Sequence, residues 1–307
     1  MKKLLLSLTL LTSISVAAQT NTSSISFDGV DDYLETPSQP SLNSIVDSIS
    51  LMAWFKTSSD LSSWTVGSGT IIARRDFVGN PEGERHHFEL GVTPDSSIYF
   101  GSANNQDNNL YTTQVYSDNG VITPKEWTHV GVTFNNGKVE IYVNGSLVTS
   151  QDLGFKELFP YDHWINIGRI HRTGGNQFFN EFKGQLDDIA IWHRVLSQEE
   201  VQLYMNCPPD GSESNLVAFY NMEEGTGTTT QDLTPSSFDM TFNNGPTWST
   251  DVPAYNCNVG IEELSSQNKE AVKIVNLLGQ EVEYTPNTVL IYIYSDGTSE
   301  RVMKIEE

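Results

Sequence analysis

Two pairs of adjacent aspartates stand out in the 307-residue chain. Asp31-Asp32 follows the turn Phe27-Asp28-Gly29, and Asp187-Asp188 begins a late apolar alternation. Neighbouring carboxylates repel one another, and a bound cation relieves the repulsion. Calcium suits such a place, since it takes six to eight oxygen ligands and mixes carboxylates with backbone carbonyls. The same pairs also read as turn formers and solvated strand borders, and both readings stand at this point. A second set of residues suits sugar recognition, in which an aromatic face stacks on the ring while Asp, Asn, Arg or His fixes the hydroxyls. Trp64, Arg74, Asp76, Tyr161, Trp164 and Arg172 supply that mixture from loop-like stretches. His86-His87 lacks a matched third ligand and reads as a packed or surface pair. Glu199-Glu200 reads as the start of a helix, where negative charge is favourable, and Glu223-Glu224 and Glu262-Glu263 as solvated loop.

The elements that must carry these groups are strands. From Gln19 to Asn256 the apolar residues recur with period two: Val130, Val132 and Phe134 share one face, and so do Val139, Ile141 and Val143 after the turn Asn135-Asn136-Gly137. Similar runs cover Ile49 to Phe55, His87 to Gly91, Ser97 to Phe100, Ile165 to Ile170 and Leu186 to Trp192. Short strands with turn signals every 8 to 12 residues or so predict an all-β, two-sheet sandwich or jelly roll. One short helix interrupts them. Ser197 is its N-cap, Glu200 completes a capping box, Leu196 staples onto Val201, and the helix ends by Asn206 ahead of Cys207-Pro208-Pro209.

Composition narrows the setting. The chain carries 17 Lys plus Arg against 39 Asp plus Glu, a formal charge of −22. Such a charge repels phosphate backbones and anionic membranes, which argues against a nucleic-acid partner. Lys2 and Lys3, an apolar run from Leu4 to Val16 and the small residues Val16-Ala17-Ala18 read as a secretory signal over residues 1–18. Its loss removes two positive charges and moves the net charge from −22 to −24. No later stretch is apolar enough to form a transmembrane helix. In an exported chain Cys207 and Cys257 tend to oxidise, closing a loop of about 50 residues that is worth roughly 4 kcal/mol.

Five segments, in order, resemble the laminin G-like, concanavalin A-like jelly-roll family. They are Ile25 to Leu34 around Phe-Asp-Gly, Ile49 to Phe55, Glu126 to Phe134, Val139 to Gly145 and Gly184 to Trp192, within residues 24–206. The resemblance implies a structural calcium held by Asp28 and Asp187, with Gly29 as a carbonyl donor and Asp32 or Asp188 as helpers. Leu216 to Trp248 resembles strands that in many members precede Phe-Asp-Gly, so residues 216–257 are expected to close a permuted sandwich spanning 19–257. A fragment of a second copy is the other reading. The tail, 258–307, with Asn276-Leu-Leu-Gly-Gln-Glu281 and the segment Leu290 to Ile305, resembles the C-terminal sorting domain of the type IX secretion system of Bacteroidota. That implies passage through the periplasm to the cell exterior, with the secretion machinery as a partner.

Glucanases of this fold place paired carboxylates along one strand as Glu-x-Asp-x-x-Glu, and that stretch does not occur; nor does Gly-x-Ser-x-Gly. The expected function is recognition of extracellular glycan or protein by a secreted or surface-displayed module without catalysis. An extracellular polysaccharide-degrading enzyme on the same fold and a structural adhesin or spacer are the alternatives.

Overall fold

The computed structural model describes residues 21–37, 39–58, 61, 67–77, 84–106, 109–160, 162–171, 180–255, 257, 271–276, 280–282, 289–294 and 299–303. The signal expected over residues 1–18 lies outside the described residues. The chain divides into two compact units, Met1–Cys257 and Asn258–Glu307.

In the first unit the strands begin with β1 (Ser24–Asp28), β2 (Tyr33–Glu35), β3 (Ser48–Thr57), β4 (Gly69–Phe77), β5 (Glu84–Val92) and β6 (Ile98–Gln106). Next come β7 (Asn109–Tyr116), β8 (Thr128–Asn135), β9 (Lys138–Val143), β10 (Ser146–Asp152) and β11 (Asn166–Ile167). The last are β12 (Lys183–Trp192), β13 (Leu216–Tyr220), β14 (Thr229–Thr230), β15 (Met240–Asn243) and β16 (Thr247–Ser249). One antiparallel sheet runs β10-β9-β8-β3-β12-β1-β16, with β13 also on β12, and the other runs β14-β15-β2-β11-β4-β5-β6-β7. The result is the expected jelly-roll sandwich.

Alternation explains the packing. Leu51, Val132 and Ile191 on the first sheet and Leu34, Phe88 and Ile167 on the second share one buried cluster between the sheets. Each such side chain contributes about 1.5–3 kcal/mol on burial. The β8–β9 hairpin turns on Asn136 (φ 47°) and Gly137 (φ 99°), the positive-φ pair that matches strand twist. The outer face of the first sheet is apolar too. There Met52, Tyr142, Trp192 and Phe219 pack with Leu196 and Val201 at helix α1 (Gln198–Asn206), whose Ser197–Glu200 capping box is formed. Trp127, just before β8, is partly exposed, and its Nε1 donates to Asp251 Oδ1 at 2.9 Å.

The closing segment completes both sheets. Strand β13 pairs with β12, β16 with β1, and β15 with β2, so these strands fill places in one sandwich rather than starting a second. The Cys207–Cys257 disulfide (Cα–Cα 4.6 Å) ties the end of this segment to the end of α1. The second unit holds a three-stranded antiparallel sheet, β17 (Ala271–Val275), β18 (Val289–Tyr294) and β19 (Ser299–Met303). Among the described residues no helix is long and apolar enough to cross a membrane.

Candidate functional site

Three polar constellations stand out. The first is a pocket of acids at a break in β12. That strand pairs with β1 as far as Leu186 and with β13 from Ile189 onward, and Asp187-Asp188 fills the hand-over. A register shift there puts Asp188 at φ 47°, a left-handed conformation that Asp tolerates. Both side chains are buried. Asp187 Oδ2 accepts from Asn21 Nδ2 at 2.9 Å and its Oδ1 from the Asp188 amide at 3.0 Å, while Asp188 Oδ2 accepts from the Tyr255 hydroxyl. Asp188 Oδ1 and Asn21 Oδ1 are buried without partners. Glu223 lies beside them, accepting from the Thr22 amide at 3.0 and 2.9 Å. Burial, reinforced by Asp188, holds the Asp187 carboxyl well above the usual range, and burial pushes Asp188 up as well, with Glu223 adding to it. Two unpartnered buried oxygens beside paired carboxylates form a donor set that suits a hard, oxygen-binding cation.

Asp28, Gly29 and Asp32 are not part of that pocket. Asp28 pairs with Lys183, four residues before Asp187 on β12, which separates them by about 13 Å along the strand. The expected calcium set therefore splits in two. Asp28 Oδ1 accepts from the Val30 amide and Asp32 Oδ2 from the Asp28 amide, both at 2.8 Å, and Gly29 (φ 75°) makes the bend. Asp28, Asp31 and Asp32 each offer an oxygen within 4.8 Å of the others, yet the amides of the turn already occupy oxygens of Asp28 and Asp32.

The second constellation lies at the end of β4. Asp76 Oδ1 meets His171 Nδ1 at 3.2 Å and Asp76 Oδ2 meets His163 Nε2 at 3.4 Å. The partly buried Trp164 ring stands edge-on to both imidazoles, with centroids 5.0 and 4.6 Å away. The Trp164 amide donates to His163 Nδ1 at 2.7 Å. A neutral imidazole that accepts at Nδ1 carries its proton on Nε2, so His163 turns an N–H toward Asp76, an arrangement that suits hydrogen bonding and not a shared metal.

Arg74 requires a correction. It is 0% exposed, so it offers no face to a sugar. Its guanidinium donates to His163 O at 3.2 Å, Gln39 O at 3.0 Å, Asn43 Oδ1 at 2.8 Å and His87 Nδ1 at 2.8 Å. Burial, then the Arg74 charge, pushes His87 down to about 3. Trp64, Tyr161 and Arg172 lie outside the described residues.

The third constellation is the outer face of the second sheet. Leu34 and Ile167 point into the core, so Glu35 and Asn166 alternate outward, and register continues the row through Ala73, Glu89 and Gly101. Arg169 sits 3.0 Å over the Tyr33 ring, 3.5 Å from Glu35 Oε2, and its Nε donates to Asn166 Oδ1 at 3.3 Å. Further along, Glu89 accepts from Arg75, Tyr99 and, at 3.2 Å, Thr70. Asn166 Nδ2 and Glu181 Oε1 are buried without partners, a condition that costs about 1–3 kcal/mol for each group.

A family whose description is the concanavalin A-like lectin/glucanases superfamily matches residues 28–202, more than half of the chain. The chain belongs to that family. Among solved structures this concanavalin A-like chain is similar to a Bacteroides ovatus protein named for carbohydrate binding, at 18% identity and a TM-score of 0.55. The match covers 78% of this chain and 63% of that one, so the chain spans less than two thirds of that relative. It is also similar to a heptameric SAP-like pentraxin of Limulus polyphemus, at 16% identity and a TM-score of 0.50, over 79% of this chain and 100% of the pentraxin. At these identities the likeness is one of fold. No curated protein matches the chain.

Sequence reasoning passed over several residues of this concanavalin A-like sandwich. Glu223 reads as solvated loop but joins the acid pocket, because the closing strands bring it against Thr22. Asn166 and Glu89 each sit between apolar neighbours in an alternating run, and Glu35 follows Leu34 in one. A polar residue at the outward phase of a strand was the available signal.

Proposed function

We propose that the sandwich is a secreted or cell-surface recognition module that binds extracellular glycan without cleaving it. The observation that supports this reading most is the polar outer face of the second sheet. Glu35 and Tyr33 are partly exposed on it beside the buried Asn166, Arg169 and Glu89, Arg169 sits over the Tyr33 ring, and the partly exposed Trp164 and His171 stand with the buried Asp76 at the end of β4. Hydroxyl-rich ligands are fixed by such mixtures of carboxylate, amide, guanidinium and aromatic groups. The Bacteroides ovatus neighbour points the same way by its name.

A calcium ion belongs to the same proposal. Asp187, Asp188 and the Asn21 carbonyl oxygen would hold it, with Glu223 close by. It would supply the positive charge that the buried acids lack and so fasten β1, β12 and the closing segment together. Export is inferred from the leader, the disulfide and the resemblance of residues 258–307 to a type IX sorting domain, which makes the secretion machinery a partner.

One observation favours the hydrolase alternative. Burial raises the Glu181 carboxyl, the Arg169 charge acts on it, and Glu35 lies 3.5 Å from the same guanidinium; glycoside hydrolysis uses a pair of carboxyls of which one has a raised pKa. A glycan array run beside a reducing-sugar release assay on the mature chain separates the readings. Binding without product is the expected result. Cleavage of a polymer that Glu181→Gln abolishes sinks the recognition account, and silence in both assays favours a spacer.

A further inference from the structure

We infer that the stretch from Asp251 to Cys257 is a gate over the Asp187–Asp188 pocket, and that the Cys207–Cys257 bridge holds the gate shut and traps a cation beneath it. This rests on the calcium reading above and concerns how the ion enters and stays.

Asp187 is 0% and Asp188 5% exposed, so no cation reaches them unless a covering stretch moves. Outside β12, three stretches close on the pair: Asn21 with Thr22, Glu223, and the stretch that ends in Tyr255. The first two belong to the sheet. Asn21 and Thr22 lead into β1 and Glu223 follows β13, and both strands pair with β12. They are also tied to each other, since the Thr22 amide and hydroxyl donate to Glu223 and Ser23 Oγ donates to Met222 O at 2.6 Å. The third differs. From Asp251 to Tyr255 the chain lies in no strand or helix, and among the described residues it makes no backbone-to-backbone hydrogen bond.

Its hold on the sandwich is made by side chains at one end and by a covalent bond at the other. Ser24 Oγ donates to Asp251 O at 2.7 Å, while the Asp251 carboxylate meets Lys56 Nζ at 2.6 Å and Trp127 Nε1 at 2.9 Å. The ion pair there is partly exposed, 24% for Lys56 and 44% for Asp251, so solvent screens it and it contributes little. In the middle, Pro253 O accepts from Asn21 Nδ2 at 3.4 Å and the Tyr255 hydroxyl donates to Asp188 Oδ2. Tyr255 is the plug: lifting it frees that oxygen beside Asp188 Oδ1 and Asn21 Oδ1, which already lack partners. At the far end Cys257 is bonded to Cys207, the C-cap of α1, and α1 packs through Val201 on the outer face of the first sheet. A short stretch fixed at both ends has few open conformations, and cutting one end multiplies them. A dithiol makes that cut. Its thiolate attacks one sulfur of the bridge, the other sulfur leaves as a thiolate and takes up a proton, and the second thiolate of the dithiol displaces the first cysteine, so the dithiol is oxidised and both cysteines are reduced. A cation loaded before the bridge closes is therefore retained afterwards.

Stopped-flow release of terbium from the mature chain tests the gate. Terbium takes the oxygen ligands that calcium takes, and Trp54, paired with Asp187 across β3 and β12, sensitises its emission. The signal counted is the emission that Asp188→Asn lacks. On mixing with excess chelator, the bridged chain is expected to release terbium about tenfold or more slowly than the chain reduced by a dithiol. Tyr255→Ala keeps the bridge and removes the plug, so it should release faster than bridged wild type. Equal rates in the bridged and reduced chains overturn the gate and leave the cation site standing, as does a Tyr255→Ala variant that releases as slowly as wild type. Release from the reduced chain at its own rate of global unfolding, followed by near-ultraviolet circular dichroism, overturns the gate too. Wild-type emission no greater than that of Asp188→Asn means that no ion enters the pocket, and overturns the calcium reading with it.

Discussion

Comparing the mature chain with and without added calcium tests the proposed cation site at Asp187–Asp188. Without a cation, two buried carboxyls and two unpartnered oxygens face one another. Both acids ionise near pH 3.9 in the unfolded chain, but burial holds Asp187 well above that in the fold and Asp188 up to about 8. The folded state therefore keeps protons that the unfolded state has released, so metal-free stability falls as pH rises from about 4 toward 8. A cation that binds only the folded state offsets this loss. At calcium a hundredfold above its Kd the gain is about 2.7 kcal/mol. For a unit of this size each kcal/mol moves Tm by about 2–4 °C, so the expected rise is about 5–10 °C. Differential scanning calorimetry with calcium and with chelator, at pH 5 and pH 7.5, measures it, and the shift should be larger at pH 7.5. Asp188→Asn should raise the metal-free Tm and abolish the calcium response, whereas Asp28→Ala, about 13 Å away along the strand, should leave the response intact. A wild-type Tm indifferent to calcium, or a response lost in Asp28→Ala and kept in Asp188→Asn, would refute the reasoning.

Other perturbations separate structural from ligand-binding roles. Reducing Cys207–Cys257, or Cys257→Ser, opens a loop with a sequence separation of 50 and should lower unfolding free energy by roughly 4 kcal/mol in urea titrations; an unchanged midpoint would contradict it. Arg74→Leu strips donors from His163 O, Gln39 O and Asn43 Oδ1 and should destabilise by about 3–5 kcal/mol without a specific loss of glycan affinity in any folded fraction. A stable variant that has lost only binding would restore Arg74 as a contact. Burial pushes His87 and His129 down to about 3, so both are neutral in the fold; stability should fall as pH drops from about 6.5 toward 3. His129→Phe should flatten that decline in an acid titration followed by circular dichroism, and an identical profile would count against it.

Period-two alternation in a single chain was enough for the strands, because side chains on a pleated strand point to opposite faces whatever lies beyond. The positive-φ turn at Asn136-Gly137 and the Ser197–Glu200 capping box are likewise local, and the sequence spells them out. The cysteines were legible as a bridge, and the aspartate pairs as adjacent acids, from residue types alone.

Pairing across the sheets was not legible. Asp28 and Asp187 look alike as strand-border acids, and only the β1–β12 register sets them about 13 Å apart. Arg74 reads as a loop cation. The strand it belongs to turns it inward among Gln39, Asn43, His87 and His163, partners drawn from across the chain. Glu223 and Asn21 are separated by about two hundred residues, and the closing strands bring both to the acid pocket. Local sequence therefore determined the elements, the capping and the chemical types on offer. The tertiary structure alone decided which polar groups share a buried space, since that depends on register and on the strand a segment meets, and neither is written in any local pattern.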